Sequence, residues 1–220
     1  MIGNKRKQGN ILIGIGLLLI AVALFLTGRN LYNDYKAGQH SDDLVSLIRS
    51  EVLDKLNLNS YDPNSPWDDL PDYVRHPDME LPVGEIDGLE CVGILQIHSM
   101  DREFPVMADL SDYLLAYGPC KYHGTPYKDN FVIGAHNFLA HFGAMINELE
   151  EGDKVTFIDM AGNVFDYTVS YMEVLQPYDY YEMVDSEWDL SLFTCTWDLG
   201  SRYTFRCMRD NKQVNYVDLG

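Results

Sequence analysis

Leu190-Ser-Leu-Phe-Thr194-Cys195-Thr196-Trp197, followed closely by Arg202-Tyr-Thr-Phe-Arg206, is the part of this 220-residue chain from which its architecture can be read. Alternating residues run up to Cys195, a turn follows, and alternation resumes at Arg202. A period of two broken by a turn predicts neighbouring antiparallel strands. It also predicts a thiol and a guanidinium facing each other at one edge of a sheet. Upstream, Phe131-Val-Ile-Gly-Ala-His136-Asn137 is another short apolar run, and it ends in a histidine. A nucleophile, a group able to act as acid or base, and a fixed cation, each at a strand end, make a candidate catalytic constellation.

Working outward from these strands, the pattern is mostly β from Glu90 onward. Residues 91–97 alternate, 99–101 turn, and 103–107 return. Residues 111–117 and 141–149 have the apolar spacing of short helices. Residues 154–159 and 164–175 read as strands joined through Ala161-Gly162-Asn163, a hairpin loop. An acidic, aromatic loop at 178–189 leads into the Cys195 strand, and 202–208 closes the set. Seven or eight strands with short helices in the crossings predict a closed or nearly closed barrel, which leaves few strand edges exposed.

The N-terminal part differs. Residues 11–27, ILIGIGLLLIAVALFLT, carry no charge and follow Lys5, Arg6 and Lys7. That length is near the lower limit for a membrane-spanning helix. Basic residues before it predict a cytoplasmic N-terminus with the body of the chain outside, in a single-pass cell-membrane topology. A cleaved signal peptide is the competing reading, but no small-x-small site follows the run. Val45, Ile48, Val52 and Leu56 then recur at helical spacing, with Asp42 and Asp43 where a first turn favours anions. Pro63, Pro66, Pro71, Pro77 and Pro82 break any period after that and predict a linker. The expected organisation is therefore a basic tip and anchor over 1–29, a helix and Pro-rich linker over 30–84, and a catalytic β domain over 85–220.

Net charge is −18. The first 29 residues hold Lys5, Arg6, Lys7 and Arg29 and no acid, so the remainder sets 12 basic against 34 acidic side chains. Such a surface repels phosphate backbones and excludes DNA or RNA as a partner. Cys91, Cys120, Cys195 and Cys207 show no C-x-x-C spacing of a redox or zinc site. If Arg202 faces Cys195, Cys207 lies roughly 16 Å along the strand, too far for a disulfide with Cys195. A Cys91–Cys120 bridge remains open.

Attack on a carbonyl needs the thiolate, whereas a free cysteine with a pKa near ~8.5 is mostly protonated at neutral pH. His136 could favour the thiolate and then give its proton to a departing amine. Arg202, with a pKa above roughly 12, can only hold carbonyl oxygens or an oxyanion. Together these point to acyl transfer through a thioester. Burial is the competing explanation for any cysteine ending an apolar strand. His98, His123 and His141 compete with His136, and Arg206 and Arg209 with Arg202.

The segment Leu192-Phe-Thr194-Cys195 with Arg202 opening the next strand resembles the Thr-Leu-x-Thr-Cys and downstream Arg signature of the sortases. The strand ending in His136 is similar to that family's histidine strand. Phe142 with Glu151-Gly152-Asp153-Lys154-Val155 resembles the stretch after it. The resemblance runs over roughly residues 92–208. It implies an eight-stranded sortase-type β-barrel and a cysteine transpeptidase of Gram-positive bacteria. Such an enzyme cleaves a Leu-Pro-x-Thr-Gly-like sorting signal of a secreted protein between Thr and Gly. It passes the acyl group to an amine of the cell-wall precursor or of a pilin lysine. By this matching Cys195 is the nucleophile, His136 the general acid/base, Arg202 the substrate and oxyanion stabiliser, and Thr194 a further substrate contact. No metal ligand set and no cofactor is expected. Glu148, Glu150, Glu151 and Asp153 with Asp185 and Glu187 are the acids from which a calcium site could be built. Asp62-Pro63 and Trp67 resemble, loosely, the lid of pilin-polymerising members. Two other readings fit less well. An L,D-transpeptidase would need glycine and arginine where Thr194 and Trp197 stand. A binding protein with a decayed site would not keep all three key residues.

Overall fold

In the computed structural model, residues 2–58, 71–185, 187–210 and 215–216 are described. The strands are β1 (Gly84–Ile86), β2 (Leu89–Ile97), β3 (Arg102–Met107), β4 (Cys120–His123), β5 (Phe131–Ala135), β6 (Lys154–Asp159), β7 (Asn163–Leu175), β8 (Leu190–Cys195), β9 (Arg202–Arg209) and β10 (Asn215–Tyr216). The helices are α1 (Ile2–Leu58), α2 (Asp72–Arg75), α3 (Met145–Glu148) and α4 (Tyr180–Val184). Eight strands close on themselves in the order β2-β3-β4-β5-β8-β9-β7-β6 and back to β2, with β1 and β10 added at β2 and β7. The expected eight-stranded barrel with short helices is thus the observed fold. Closure satisfies the backbone groups that an open sheet would leave at its edges.

Most neighbours are antiparallel, but β3 and β4 meet in parallel at Met107↔Cys120, and β5 and β8 run parallel from Phe131↔Leu190 to Ala135↔Thr194. A parallel pair needs a long crossover, and residues 136–189 supply it, carrying β6 and β7 on the way. The consequence matters for the site. The C-terminal ends of β5 and β8 emerge at the same rim, where β9 begins.

Alternation along β8 sorts its side chains cleanly. Leu190 and Leu192 join the interior cluster with Phe104, Phe131, Ile133, Phe157, Phe165 and Phe205. Phe193 joins a smaller cluster on the outer face with Val132, Leu175 and Met183. Cys195, two residues beyond Phe193, continues that outer row.

β2 departs from the expected alternation, because it is buried on both faces. Val92, Leu95 and Ile97 face the interior. Cys91 and Ile94 pack outward against Leu44, Val45, Ile48 and Val52 of α1. The switch occurs at a bulge between Cys91 and Gly93. Only glycine fits there: φ is +155°, and a Cβ would come within 2.0 Å of the Ile158 carbonyl oxygen.

α1 is one continuous helix where two were expected. No proline occurs between Ile2 and Leu58, and Gly28 and Gly38, between the two expected helices, each cost only about 1 kcal/mol relative to alanine without ending a helix. Residues Asn10–Lys55 form one helix long and apolar enough to cross a membrane. The chain divides into two compact units, Met1–Lys36 and Ala37–Gly220. In the first, Ile11, Leu12, Leu17, Leu18, Leu24 and Phe25 are all exposed. In the second, the helix from Ala37 onward belongs with the barrel, so the boundary between the units falls inside the 30–84 segment. Tyr73 and Leu81 of that segment also enter the barrel core. Arg49 reinforces the helix contact by pairing with Glu103, which also accepts from Gln96. The lid candidates Asp62, Pro63 and Trp67 lie outside the described residues.

All four cysteines are free. The open question of a Cys91–Cys120 bridge resolves physically: Cys91 pairs with Met107 on one side of β3 and Cys120 on the other. Two strand spacings, about 9.6 Å, separate their Cα atoms, well beyond disulfide range.

Candidate active site

The rim where β5, β8 and β9 meet gathers the three residues singled out in the sequence. Cys195 ends β8 and stands directly opposite Arg202, the first residue of β9. The cross-strand facing inferred from alternation is the observed register. His136 follows the last residue of β5, whose Ala135 pairs with Thr194. One further step along parallel strands, spaced about 4.8 Å apart, brings His136 level with Cys195.

Two hydrogen bonds fix this step from either side. The Thr194 hydroxyl donates to the Ala135 carbonyl at 3.0 Å, just before the pair. The Asn137 side-chain amide donates to the Thr196 carbonyl at 3.3 Å, just after it. Thr194 was expected to contact substrate; in this structure its hydroxyl is engaged with the Ala135 carbonyl. It is fully buried, and its hydroxyl serves the sheet.

The turn from β8 to β9 is held by its own polar groups. Thr196 and Ser201 exchange bonds through backbone and hydroxyl, and Asp198 accepts from Gly200 N–H at 3.1 Å. The Arg202 guanidinium gives one bond to the Ser201 carbonyl at 3.0 Å. That bond occupies one of the five donors a guanidinium carries.

Exposure separates Cys195 from the other thiols. Cys91 and Cys120 are fully buried, which pushes each thiol up to about 12. Cys207 is raised further, by complete burial inside the barrel. These three stay protonated at neutral pH, while Cys195 is half-exposed at the rim. Burial is also the main influence on His136 and holds its ring below the ordinary 6.5, while the Asp112 carboxylate pulls the other way. The ring packs against Phe138 with centroids 4.9 Å apart. The competing histidines are placed elsewhere: His98 bonds Thr156 at 2.8 Å, and His141 is fully buried beside Phe138. Arg209 lies over the Phe165 ring and pairs with Asp129, at the other end of β9 from Arg202.

Several neighbours of the site were not singled out from sequence. Phe193 lies on the Cys195 face, and Tyr122 of β4 meets it edge-on with centroids 5.2 Å apart. Tyr180 of α4 approaches Tyr122 at 6.3 Å. Burial and Tyr180 raise the Tyr122 phenol, and the nearby Arg202 charge opposes this. A Cβ on Gly134 of β5 would meet the Phe193 ring at 2.4 Å. The glycine leaves room for the tip of the ring. The result is an aromatic surface leading to Cys195 and Arg202. A glycine inside an apolar strand was the available signal for such a close approach.

Of the acids considered for calcium, Asp153 accepts from the Ser99 hydroxyl and from Glu150 N–H. Among the described residues, no group of three or more His, Cys, Asp or Glu side chains gathers as metal ligands would. A cavity of about 810 Å³ between α1 and β2–β3, lined by Ser41, Arg49, His98 and Glu103 among others, includes none of the residues at the rim.

Residues 95–210 match the family model of the sortase domain. Among solved structures, sortase C1 of GBS pilus island 1 is similar with a TM-score of 0.55 at 19% identity, over 82% of this chain and 95% of that one. A Clostridium perfringens sortase D5 transpeptidase gives 0.52 at 15% identity, over 76% and 99%. Listeria monocytogenes sortase A gives 0.50 at 16% identity, over 59% and 92%. At these identities the likeness is one of fold. No curated protein sequence matches the chain.

Proposed function

The chain belongs to the sortase family of transpeptidases, and on that premise we propose that it is a membrane-anchored cysteine transpeptidase acting through a thioester on Cys195. The observation that carries this reading is the register itself: Cys195 opposite Arg202, with His136 one step beyond the Ala135↔Thr194 pair.

In the proposed cycle, the Cys195 thiol passes its proton to the neutral His136 ring, and the resulting thiolate attacks the carbonyl carbon of the scissile peptide bond. The carbonyl oxygen takes up negative charge, and the Arg202 guanidinium donates to it. As the C–N bond breaks, His136 gives its proton to the leaving amine. An acceptor amine then attacks the thioester, returns a proton to His136 and expels the thiolate. The neutral ring that burial favours is the form ready to take that proton. The substrates are secreted proteins with an LPxTG-like C-terminal sorting signal, and the product is a surface protein attached to the cell wall. The acceptor is the amine of a cell-wall precursor, with a pilin lysine as the second candidate. The exposed apolar helix and the basic residues before it support a single-pass anchor with the barrel outside the cell.

The test is cleavage of quenched fluorescent sorting peptides by the full chain in detergent, with each amine supplied as acceptor. Cleavage that depends on Cys195, with a mass shift matching a thioester on it, supports the reading. Undiminished cleavage by Cys195→Ala, or no cleavage of any sorting peptide by the wild type, overturns it.

A further inference from the structure

Arg206 is the largest of the fully buried side chains, with 1% of its surface exposed, and nothing in the proposed cycle uses it. It sits on the outer face of β9, opposite Ser191 and four residues beyond Arg202. Its donors fan out to acceptors on separate elements. Nε bonds the Glu173 carboxylate of β7 at 2.7 Å, and Nη1 bonds the Ser191 hydroxyl of β8 at 2.7 Å. Nη2 bonds the Glu182 carbonyl at 2.6 Å, and Nη1 also reaches the Met183 carbonyl at 3.4 Å.

Glu182 and Met183 belong to the last turn of α4, where helical carbonyls have no partner within the helix. The other hydrogen bonds of this segment are local: Met183 N–H donates to Asp179, Asp185 N–H to Tyr181, and Asp179 exchanges bonds with the Gln176 backbone just after β7. Among the described residues, every hydrogen bond from a barrel strand to residues 178–185 comes from Arg206. The remaining anchor is apolar: Met183 sinks beside Val132 and Leu175. Tyr180, on the same helix, forms one side of the aromatic surface with Tyr122 and Phe193. A buried guanidinium is costly to desolvate and is retained here with matched acceptors on β7, β8 and α4.

We propose that Arg206 is a positioning residue that sets substrate selectivity by latching α4, and with it Tyr180, beside the aromatic surface that leads to Cys195. This rests on the transpeptidase reading. Arg206 touches no substrate. It fixes the wall against which the side chains upstream of the scissile bond are sorted. Lysine cannot substitute, because a single ammonium lacks the fork that spans Glu173, Ser191 and the two carbonyls.

The experiment uses the full chain in detergent, comparing wild type, Arg206→Lys, and the pair Arg206→Met with Glu173→Gln, which leaves no lone buried charge. Hydrogen exchange of residues 178–185, a sorting-peptide library and the rate of Cys195 alkylation by iodoacetamide are read together. The expected result is faster exchange confined to residues 178–185 and a loss of about tenfold or more in discrimination between peptides, carried by KM. Alkylation of Cys195 should keep its wild-type rate and pH profile. Unchanged exchange, or faster exchange with selectivity intact, overturns the proposal alone. So does a parallel fall in alkylation and cleavage of all peptides, which marks a merely structural residue. A wild type that cleaves no sorting peptide overturns the transpeptidase reading and this proposal with it.

Discussion

His136 is the residue on which two opposed influences meet. Burial favours the neutral ring, and Asp112 favours the charged one by a smaller margin. The ring should titrate in an NMR experiment with a midpoint below 6.5, and Asp112→Asn should move it lower still. A midpoint at or above 6.5 would contradict the placement of the ring. The sign for stability follows from linkage. The unfolded chain protonates this histidine at a higher pH than the folded one does. Its contribution is therefore intact above 6.5 and is lost as pH falls through the folded midpoint. Melting curves taken down that window should drop less steeply for His136→Gln than for the wild type. Thr194 makes a second prediction at this scale. Thr194→Val removes the hydroxyl bond to Ala135, which should cost about 1 kcal/mol of stability. Cleavage should fall by more than that loss explains, because His136 and Cys195 lose the tie that keeps them level. Equal cleavage by Thr194→Val and wild type would mean the tie is dispensable.

Pairs of elements, rather than single residues, explain what could be read in advance. β8 and β9 were legible because each carries its own alternation, and a short turn forces their register, so Cys195 opposite Arg202 needed no other information. β5 was legible as a strand, but its parallel pairing with β8 spans a crossover from 136 to 189 that no local pattern encodes. β2 misled for a related reason: its outward residues are covered by α1, and tertiary cover erases a two-residue period. Arg206 shares its face with Arg202, yet only the arrival of α4 makes one buried and leaves the other at the rim. Tyr122 was silent, and Gly134 spoke only as a glycine inside an apolar strand, because their meaning comes from Phe193, far along the chain. Gly134→Ala tests that last contact. The fold should survive, since the atoms in the way are the tip of one ring. The displaced Phe193 should raise KM for sorting peptides while Cys195 alkylation stays unchanged. If KM does not move, the aromatic surface is not part of the binding groove.

Across the whole molecule, α1 carries two kinds of apolar surface. Leu18 and Leu24 are exposed, at 63% and 68%. Ile48 and Val52 are buried against β2, β3 and β4, with Ile48 at 0% exposure. Apolar side chains left in contact with water at that density need another solvent, and a bilayer supplies one. The two parts should therefore respond oppositely to the same kind of change. Ile48→Ala should destabilise the barrel by about 2–5 kcal/mol, the range for deleting a buried aliphatic side chain. It should leave membrane association intact. Leu18→Arg with Leu24→Arg should leave the melting temperature in detergent near that of the wild type, because neither side chain packs against the fold. In cells it should impair retention in carbonate-washed membranes, since each arginine near the centre of a spanning helix costs roughly 2.5–3.5 kcal/mol on insertion scales. An Ile48→Ala protein that melts like the wild type would show that α1 does not contribute to the fold it covers. A double arginine variant retained in membranes as fully as the wild type would remove the anchor from the proposed function, leaving the chemistry at Cys195 to stand on the register of β8 and β9.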